Sequence, residues 1–116
     1  MNVLITGVHG FVGSKLVIAL SPEHSIYVLD IVFPEKEGVV KTFSWDDLDN
    51  NELPPIDAII HFAGKAHDTR DKSAADIYFK VNTGLTQRIF DWFLRNLSAK
   101  KYYHLHEEYL ASLERI

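Results

Sequence analysis

Short apolar runs separated by polar segments are the main pattern of the first half of the chain. Runs at Val3–Ile5, Ile26–Leu29 and Val39–Phe43 have the length and the β-branched content of strands. The stretch Asp57–Ala63 has almost no alternation, as expected of a strand covered on both faces of a parallel sheet. The pattern predicts four strands, of which Asp57–Ala63 is the most clearly buried.

Two helical patterns lie between and after these strands. The first is predicted from Phe11 to Leu20 and should end near Ser21–Pro22, because proline disfavours helical geometry in the residue before it. The second starts at Ala74 and ends near Asn96, since its apolar side chains recur at steps of four. Those side chains are Ile77, Val81, Leu85, Ile89, Phe93 and Leu97. The order of elements predicts an α/β fold, a Rossmann-like parallel sheet of about four to five strands with flanking helices, incomplete.

The last fifteen residues have a different character. Tyr102 to Leu105 is predicted as a truncated fifth strand, and Glu107 to Ile116 as a helix with acidic residues near its start. There is no Gly or Pro after Gly84, which leaves open a helix continuous with the long one. We therefore expect a partial Rossmann-like domain over residues 1–101 and a divergent helical tail over 102–116 that is not a separate domain.

Three glycines join the first strand to the first helix. Gly7 allows a tight turn, because only glycine takes a positive φ freely. Gly10 lets the backbone approach a pyrophosphate, and Gly13 lets the helix pack close to the strand. The helix N-terminus then offers unpaired N–H groups and the positive end of its dipole. This spacing predicts a dinucleotide-binding turn.

An acidic residue follows the second strand at the distance such a site requires. Asp30 lies near the expected spacing of about 20 residues beyond the glycines, where an acid bonds the ribose hydroxyls of NAD. No Arg lies within Ile26 to Pro34 to receive a 2′-phosphate, so NAD is favoured over NADP. The alternative is that Asp30 is an ordinary turn residue at the end of a strand.

Composition and charge exclude several classes of protein. The 116 residues suffice for one domain with a core of its own, and 47% apolar with 24% charged residues is typical of a soluble globular protein. A net charge of −4 without a basic stripe argues against nucleic acid as a partner. There is no cysteine for disulfides or thiolate metal sites. No apolar run spans a membrane and no basic segment marks a signal peptide, so a cytoplasmic location is expected.

Three motifs in order carry a resemblance to a known family. Thr6–Gly13, His61–Gly64 and Tyr78–Asn82 resemble the extended short-chain dehydrogenases/reductases, in the NAD-dependent nucleotide-sugar epimerase/dehydratase branch. Residues 57–93 look especially like bacterial UDP-glucose or UDP-N-acetylglucosamine 4-epimerases. The resemblance covers about residues 1–101 and implies NAD as the cofactor and a nucleotide sugar as the substrate.

The resemblance also implies a cofactor site with five parts. These are a turn that binds the pyrophosphate, an acidic residue that binds the adenosine ribose, an acidic residue that meets the adenine amino group, a strand end that flanks the cofactor, and an asparagine that supports the neighbouring strand or loop. In that order the members are Gly7, Gly10, Phe11, Val12 and Gly13; Asp30; Asp46 or Asp47; Phe62, Ala63 and Gly64; and Asn82. Asp46 and Asp47 have an equal alternative as helix N-caps before Leu48. His61 is interpreted as a hydrogen-bonded histidine at a strand end, neither base nor metal ligand.

The catalytic pair of the family is absent from this sequence. The family uses a Tyr with a Lys four residues later, yet the residues four after Tyr102, Tyr103 and Tyr109 are His, Glu and Leu. We therefore assign no catalytic residue and no metal ligand, and expect an NAD-binding half without turnover, from a truncated or frame-shifted gene product or an expressed fragment. The alternatives are a non-catalytic NAD-sensing module and a homo-oligomer assembled through the tail helix or the open sheet edge.

Overall fold

A parallel sheet with one antiparallel edge strand forms the centre of the structure, a computed structural model that describes residues 1–7, 11–30, 37–62, 72–105 and 110–114. The strands in these residues are β1 (Asn2–Thr6), β2 (Ser25–Leu29), β3 (Val39–Phe43), β4 (Ala58–Phe62), β5 (Lys101–Leu105) and β6 (Leu110–Glu114). The helices are α1 (Phe11–Leu20), α2 (Trp45–Asp49) and α3 (Lys72–Arg95).

The strand order is β3-β2-β1-β4-β5-β6 in the described residues. The pairs from β3 through β5 are all parallel, which confirms the predicted Rossmann-like sheet. The chain passes from β1 to β2 on one side, and the later strand β4 pairs on the other side of β1. This reversal of strand order around β1 is the topological switch point at which such sheets bind ligands.

The two faces of the sheet bury separate apolar clusters. Successive residues of a strand point to opposite faces, so Leu4 packs on one side while Val3 and Ile5 pack on the other. The first cluster joins the sheet to α2 and α3 through Leu4, Leu29, Ile59, Leu48, Ile89, Trp92 and Phe93. The second joins it to α1 through Val3, Ile5, Val28, Ala58 and Val17. No helix in the described ranges is both long and apolar enough to cross a bilayer.

The short helix α2 is fixed at its start by a capping box. The Ser44 side chain accepts a hydrogen bond from the Asp47 backbone N–H at 3.1 Å, and the Asp47 carboxylate accepts one from the Ser44 N–H at 2.8 Å. The alternative that Asp46 or Asp47 is the N-cap is therefore wrong, because the cap is Ser44 and both acids lie in the first turn. Acids there also suit the helix dipole.

An ion pair ties α2 to α3. The Arg88 guanidinium donates to the Asp49 carboxylate at 2.6 Å and to the Trp45 carbonyl at 3.1 Å. Its carbon centre also lies 5.3 Å from the centroid of the Trp45 ring, within the range of a cation–π contact. These contacts fix the position of α2 against the long helix.

The tail folds differently from the prediction. Leu110–Glu114 is the strand β6, paired antiparallel with β5, so the predicted helix over 107–116 is wrong for these residues. The fifth strand itself is confirmed at Lys101–Leu105. Helix propensity is a weak preference, and here pairing with β5 satisfies a row of backbone groups that would otherwise form an open edge. The tail helix is consequently not available as an element of assembly.

Candidate cofactor site

Three of the predicted site residues come together at the carboxyl edge of the sheet. Thr6 is in register with Leu29 of β2 and with His61 of β4. The next residue of each strand is therefore at the same edge: Gly7 after β1, Asp30 after β2 and Phe62 at the end of β4. This edge flanks the switch point between β1 and β4, where a crevice for a dinucleotide is expected.

Gly7 has the positive φ that the sequence predicts. Its φ is +72°, in the region that side chains disfavour. A Cβ on Gly7 would lie 3.0 Å from the Cβ of Phe62 and 3.1 Å from the Phe62 carbonyl oxygen. The turn therefore needs glycine for its backbone angle and for the close approach of β4. Gly7 is nevertheless exposed to solvent at this edge.

The three acidic candidates differ in their surroundings. Asp30 is half-buried directly after β2, and its backbone N–H donates to the Phe43 carbonyl of β3 at 3.0 Å. Asp46 is exposed on the first turn of α2. Asp47 already accepts the hydrogen bond of the capping box, so its carboxylate has a structural task.

The buried His61 is held by two threonine hydroxyls. Its Nδ1 lies 2.5 Å from Oγ1 of Thr6, and its Nε2 lies 2.7 Å from Oγ1 of Thr86 on α3. Burial, and secondarily the neighbouring His104, lowers the pKa of His61 from 6.5 to about 4. The interpretation of His61 as a hydrogen-bonded strand-end histidine is confirmed.

Sequence reasoning missed the two threonines. The sequence does indicate that such partners are needed, because a buried neutral imidazole requires one hydrogen-bond donor and one acceptor from neighbouring elements. Thr6 stands at the equivalent end of the adjacent strand, where the register Thr6↔His61 brings it into reach. Thr86 is found only by knowing how α3 packs over β4.

The remaining predicted residues are placed less fully. Phe11 and Val12 are the first residues of α1, where the sequence predicts the helix to begin, and Gly13 is buried within it. Asn82 lies in α3, one turn before Thr86. Gly10, Ala63 and Gly64, also predicted to bind the cofactor, lie outside the described residues.

Tyr102, which does not fit the family's catalytic spacing, lies in the core. It is 4% exposed and packs against the rings of Phe90 and Phe93 at centroid distances of 5.4 Å. Burial raises the pKa of its phenol to about 12, the opposite of what a general base at neutral pH requires.

A cavity of about 420 Å³ lies away from the glycine turn. The described residues that line it come from the ends of α2 and α3 and the turns that follow them: Leu48, Asp49, Asn51, Trp92, Arg95 and Asn96. None of these is a predicted cofactor residue. The cavity is therefore separate from the carboxyl edge of the sheet.

The sequence matches the family described as NAD dependent epimerase/dehydratase over residues 3–106. The chain belongs to this family. The match includes all three motifs and extends through β5. No curated protein sequence matches the chain significantly.

Solved structures of similar fold include three sugar-nucleotide epimerases. UDP-N-acetylglucosamine 4-epimerase from Bacillus cereus has a TM-score of 0.69 at 21% identity, covering 90% of this chain and 36% of that one. A UDP-glucose 4-epimerase has a TM-score of 0.69 at 20% identity, covering 90% of this chain and 35% of that one. UDP-N-acetylglucosamine 4-epimerase from Methanobrevibacter ruminantium M1, in complex with UDP-N-acetylmuramic acid, has a TM-score of 0.61 at 24% identity. The match covers 82% of this chain and 34% of that one.

At these identities the likeness shows the fold. The chain spans about a third of the length of each of these epimerases. The fold they share with it is the parallel sheet with its flanking helices, which agrees with the family assignment.

Proposed function

We propose that this chain binds NAD at the carboxyl edge of the sheet, around the turn between β1 and α1. The observation that carries the proposal is Gly7, which is exposed at the switch point and has a φ of +72°. It has no room for a side chain, because an added Cβ would lie 3.0 Å from the Cβ of Phe62. A side chain at Gly7 would collide with β4, so the turn requires glycine, as the tight turn of a dinucleotide-binding site does. The N-terminus of α1 follows it, with N–H groups suited to a pyrophosphate.

The remaining contacts are assigned by position. Asp30, at the end of the neighbouring strand, would accept hydrogen bonds from the adenosine ribose. Asp46 is the exposed acid of α2 and would meet the adenine amino group, since Asp47 is engaged by Ser44. Gly10 and Gly13, with the N–H groups of Phe11 and Val12, would complete the pyrophosphate turn.

The strand end after His61 would flank the cofactor on its other side. Phe62, Ala63 and Gly64 would lie along it, and Asn82 on α3 would brace that segment. NAD, when bound, supplies a hydride acceptor for the carbon that bears a sugar hydroxyl. The chain's own residues bind and orient the dinucleotide.

The family and the neighbouring structures favour a nucleotide sugar as the substrate class of the complete site. This sequence holds no Tyr followed by Lys at the family's spacing. We therefore expect the 116-residue chain to act as the NAD-binding half of a nucleotide-sugar epimerase or dehydratase, and to show no turnover of UDP-glucose or UDP-N-acetylglucosamine. Detection of 4-epimer product in a coupled assay would contradict this.

Calorimetric titration with NAD tests the binding proposal. Asp30→Ala should weaken NAD binding by about ten- to a hundredfold, since it removes hydrogen bonds to a charged group worth roughly 1.5–3 kcal/mol. Glu52→Ala removes an exposed carboxylate from the loop after α2 and is the matched control, with unchanged affinity expected. Equal NAD affinity in wild type and Asp30→Ala would remove Asp30 from the site.

A further inference from the structure

His61 joins three elements of the fold at the residue before the proposed cofactor turn. His61 lies in β4, and its two ring nitrogens form hydrogen bonds with the hydroxyls of Thr6 on β1 and Thr86 on α3. Thr6 is followed by Gly7, and His61 is followed by Phe62. The Thr6–His61 bond therefore lies one residue before the place where Gly7 and Phe62 approach closely.

The chemistry of the pair of threonines matches a neutral imidazole. Neutral histidine has one N–H donor and one acceptor nitrogen, and each hydroxyl can act as either. A protonated ring would have two donors and would place a charge in a position that is 4% exposed. Among the described residues that contact the ring, the titratable group is His104 on β5, whose ring meets it edge-on at a centroid distance of 5.2 Å.

We propose that His61 is a positioning residue: through Thr6 and Thr86 it holds the end of β4 against Gly7 and so fixes the geometry of the NAD-binding turn. This inference rests on the proposed function. Thr86 extends this role beyond the sheet, because its hydrogen bond to His61 links the end of β4 to α3. The helix α3 also packs on the sheet through the apolar side chains of the first cluster.

The turn has little tolerance for movement. An added Cβ at Gly7 would lie 3.0 Å from the Cβ of Phe62, so the two segments lie close together. Their separation depends on what holds β4 in place. Loss of one bond of His61 would leave a buried polar nitrogen without a partner, and the end of β4 would move to find one. Such movement displaces Phe62 relative to Gly7.

Thr86→Val tests the proposal, because it keeps the shape of the side chain and removes the hydroxyl. We expect NAD affinity to fall about tenfold, as for one buried hydrogen bond left unmade. Thr86→Ser keeps the hydroxyl and should restore wild-type affinity. Ile89→Val, on the same helix and fully buried, should cost a similar amount of stability without changing NAD affinity.

Amide hydrogen exchange in the cofactor-free protein gives an independent measurement. Exchange at Gly7 and Phe62 should accelerate in Thr86→Val and remain as in wild type in Thr86→Ser and Ile89→Val. If Thr86→Val does not fold, Thr86→Ala carries the same comparison. Equal effects of Thr86→Val and Ile89→Val on both affinity and exchange would overturn the positioning role.

The two proposals fail in different ways. If wild type does not bind NAD, the proposed function is wrong, and His61 is then no positioning residue for NAD whatever the exchange experiment shows. If wild type binds NAD and Thr86→Val binds it equally well, the proposed function stands and the positioning role alone is overturned.

Discussion

Two regions of the sheet are built on different principles. At the β1–β4 junction the strands are parallel and distant in sequence, and they meet through Gly7, Phe62 and the hydrogen bonds of His61. At the β5–β6 edge the strands are antiparallel and close in sequence. The first region requires specific residue types at specific positions, whereas the second requires mainly backbone pairing. We expect ligand binding in the first region, where the requirement for particular residue types is greatest.

A substitution at Gly7 is the most severe way to test this contrast. Gly7→Val combines an unfavourable φ with overlap against Phe62, so we expect a loss of about 2–5 kcal/mol in the free energy of unfolding, together with loss of NAD binding. The measurement is denaturant unfolding followed by NAD titration.

Gly84→Ala is the matched control for Gly7→Val. Gly84 lies inside α3, and among the described residues no atom beyond its chain neighbours and the helix's own backbone lies within 4 Å of the position that an added methyl group would take. Alanine favours helix, so the free energy of unfolding should rise by up to about 1 kcal/mol. Similar effects of the two substitutions would mean that the Gly7 turn is not specially constrained.

The next effect concerns pH and His61. The pKa of His61 is about 4 in the folded protein and 6.5 in its ordinary environment, so between these pH values the unfolded chain binds more protons. The free energy of unfolding should therefore rise with pH from about 4 to 6.5 and show no further His61 contribution above that range. Relative to a variant without this histidine, the change is about 3 kcal/mol.

Denaturant unfolding of wild type and His61→Gln across this pH range measures that contribution. The difference between the two curves isolates His61, because the carboxylates are common to both proteins. Parallel curves would show that the folded state does not exclude the charged imidazole.

The smallest effect belongs to the β5–β6 edge. Ala111→Pro in β6 should cost about 1 kcal/mol at most, since proline is tolerated best on edge strands and removes a single backbone donor. NAD affinity should not change, because β6 lies beyond β5 and supplies no proposed contact. Loss of NAD binding in this variant would contradict the separation of the two regions.

The parallel half of the sheet is predictable from the sequence for physical reasons. Val3–Ile5 and the 57–63 stretch have near-continuous apolar runs, the mark of strands covered on both faces, and Gly7 has a backbone angle that only glycine takes freely. Leu110–Glu114 is harder to assign, because five residues with leucines three apart fit a helix as well as a strand.

The hydrogen bonds of His61 could not be predicted from local pattern. They depend on the register of β1 with β4 and on the packing of α3, which are properties of the assembled sheet. Likewise, the sequence predicts an acid near the adenine position but not the capping box that engages Asp47. Both are cases in which contacts made only in the folded chain decide what a polar side chain does.

Titration of the wild-type chain with NAD and NADP tests the central claim most directly. The turn at Gly7, with Asp30 beside it and no arginine from Ile26 to Pro34, predicts that NAD binds and that NADP binds more weakly. The reason is that a 2′-phosphate would meet the Asp30 carboxylate and find no arginine in this segment. Absence of binding to either dinucleotide, or tighter binding of NADP, would contradict the account.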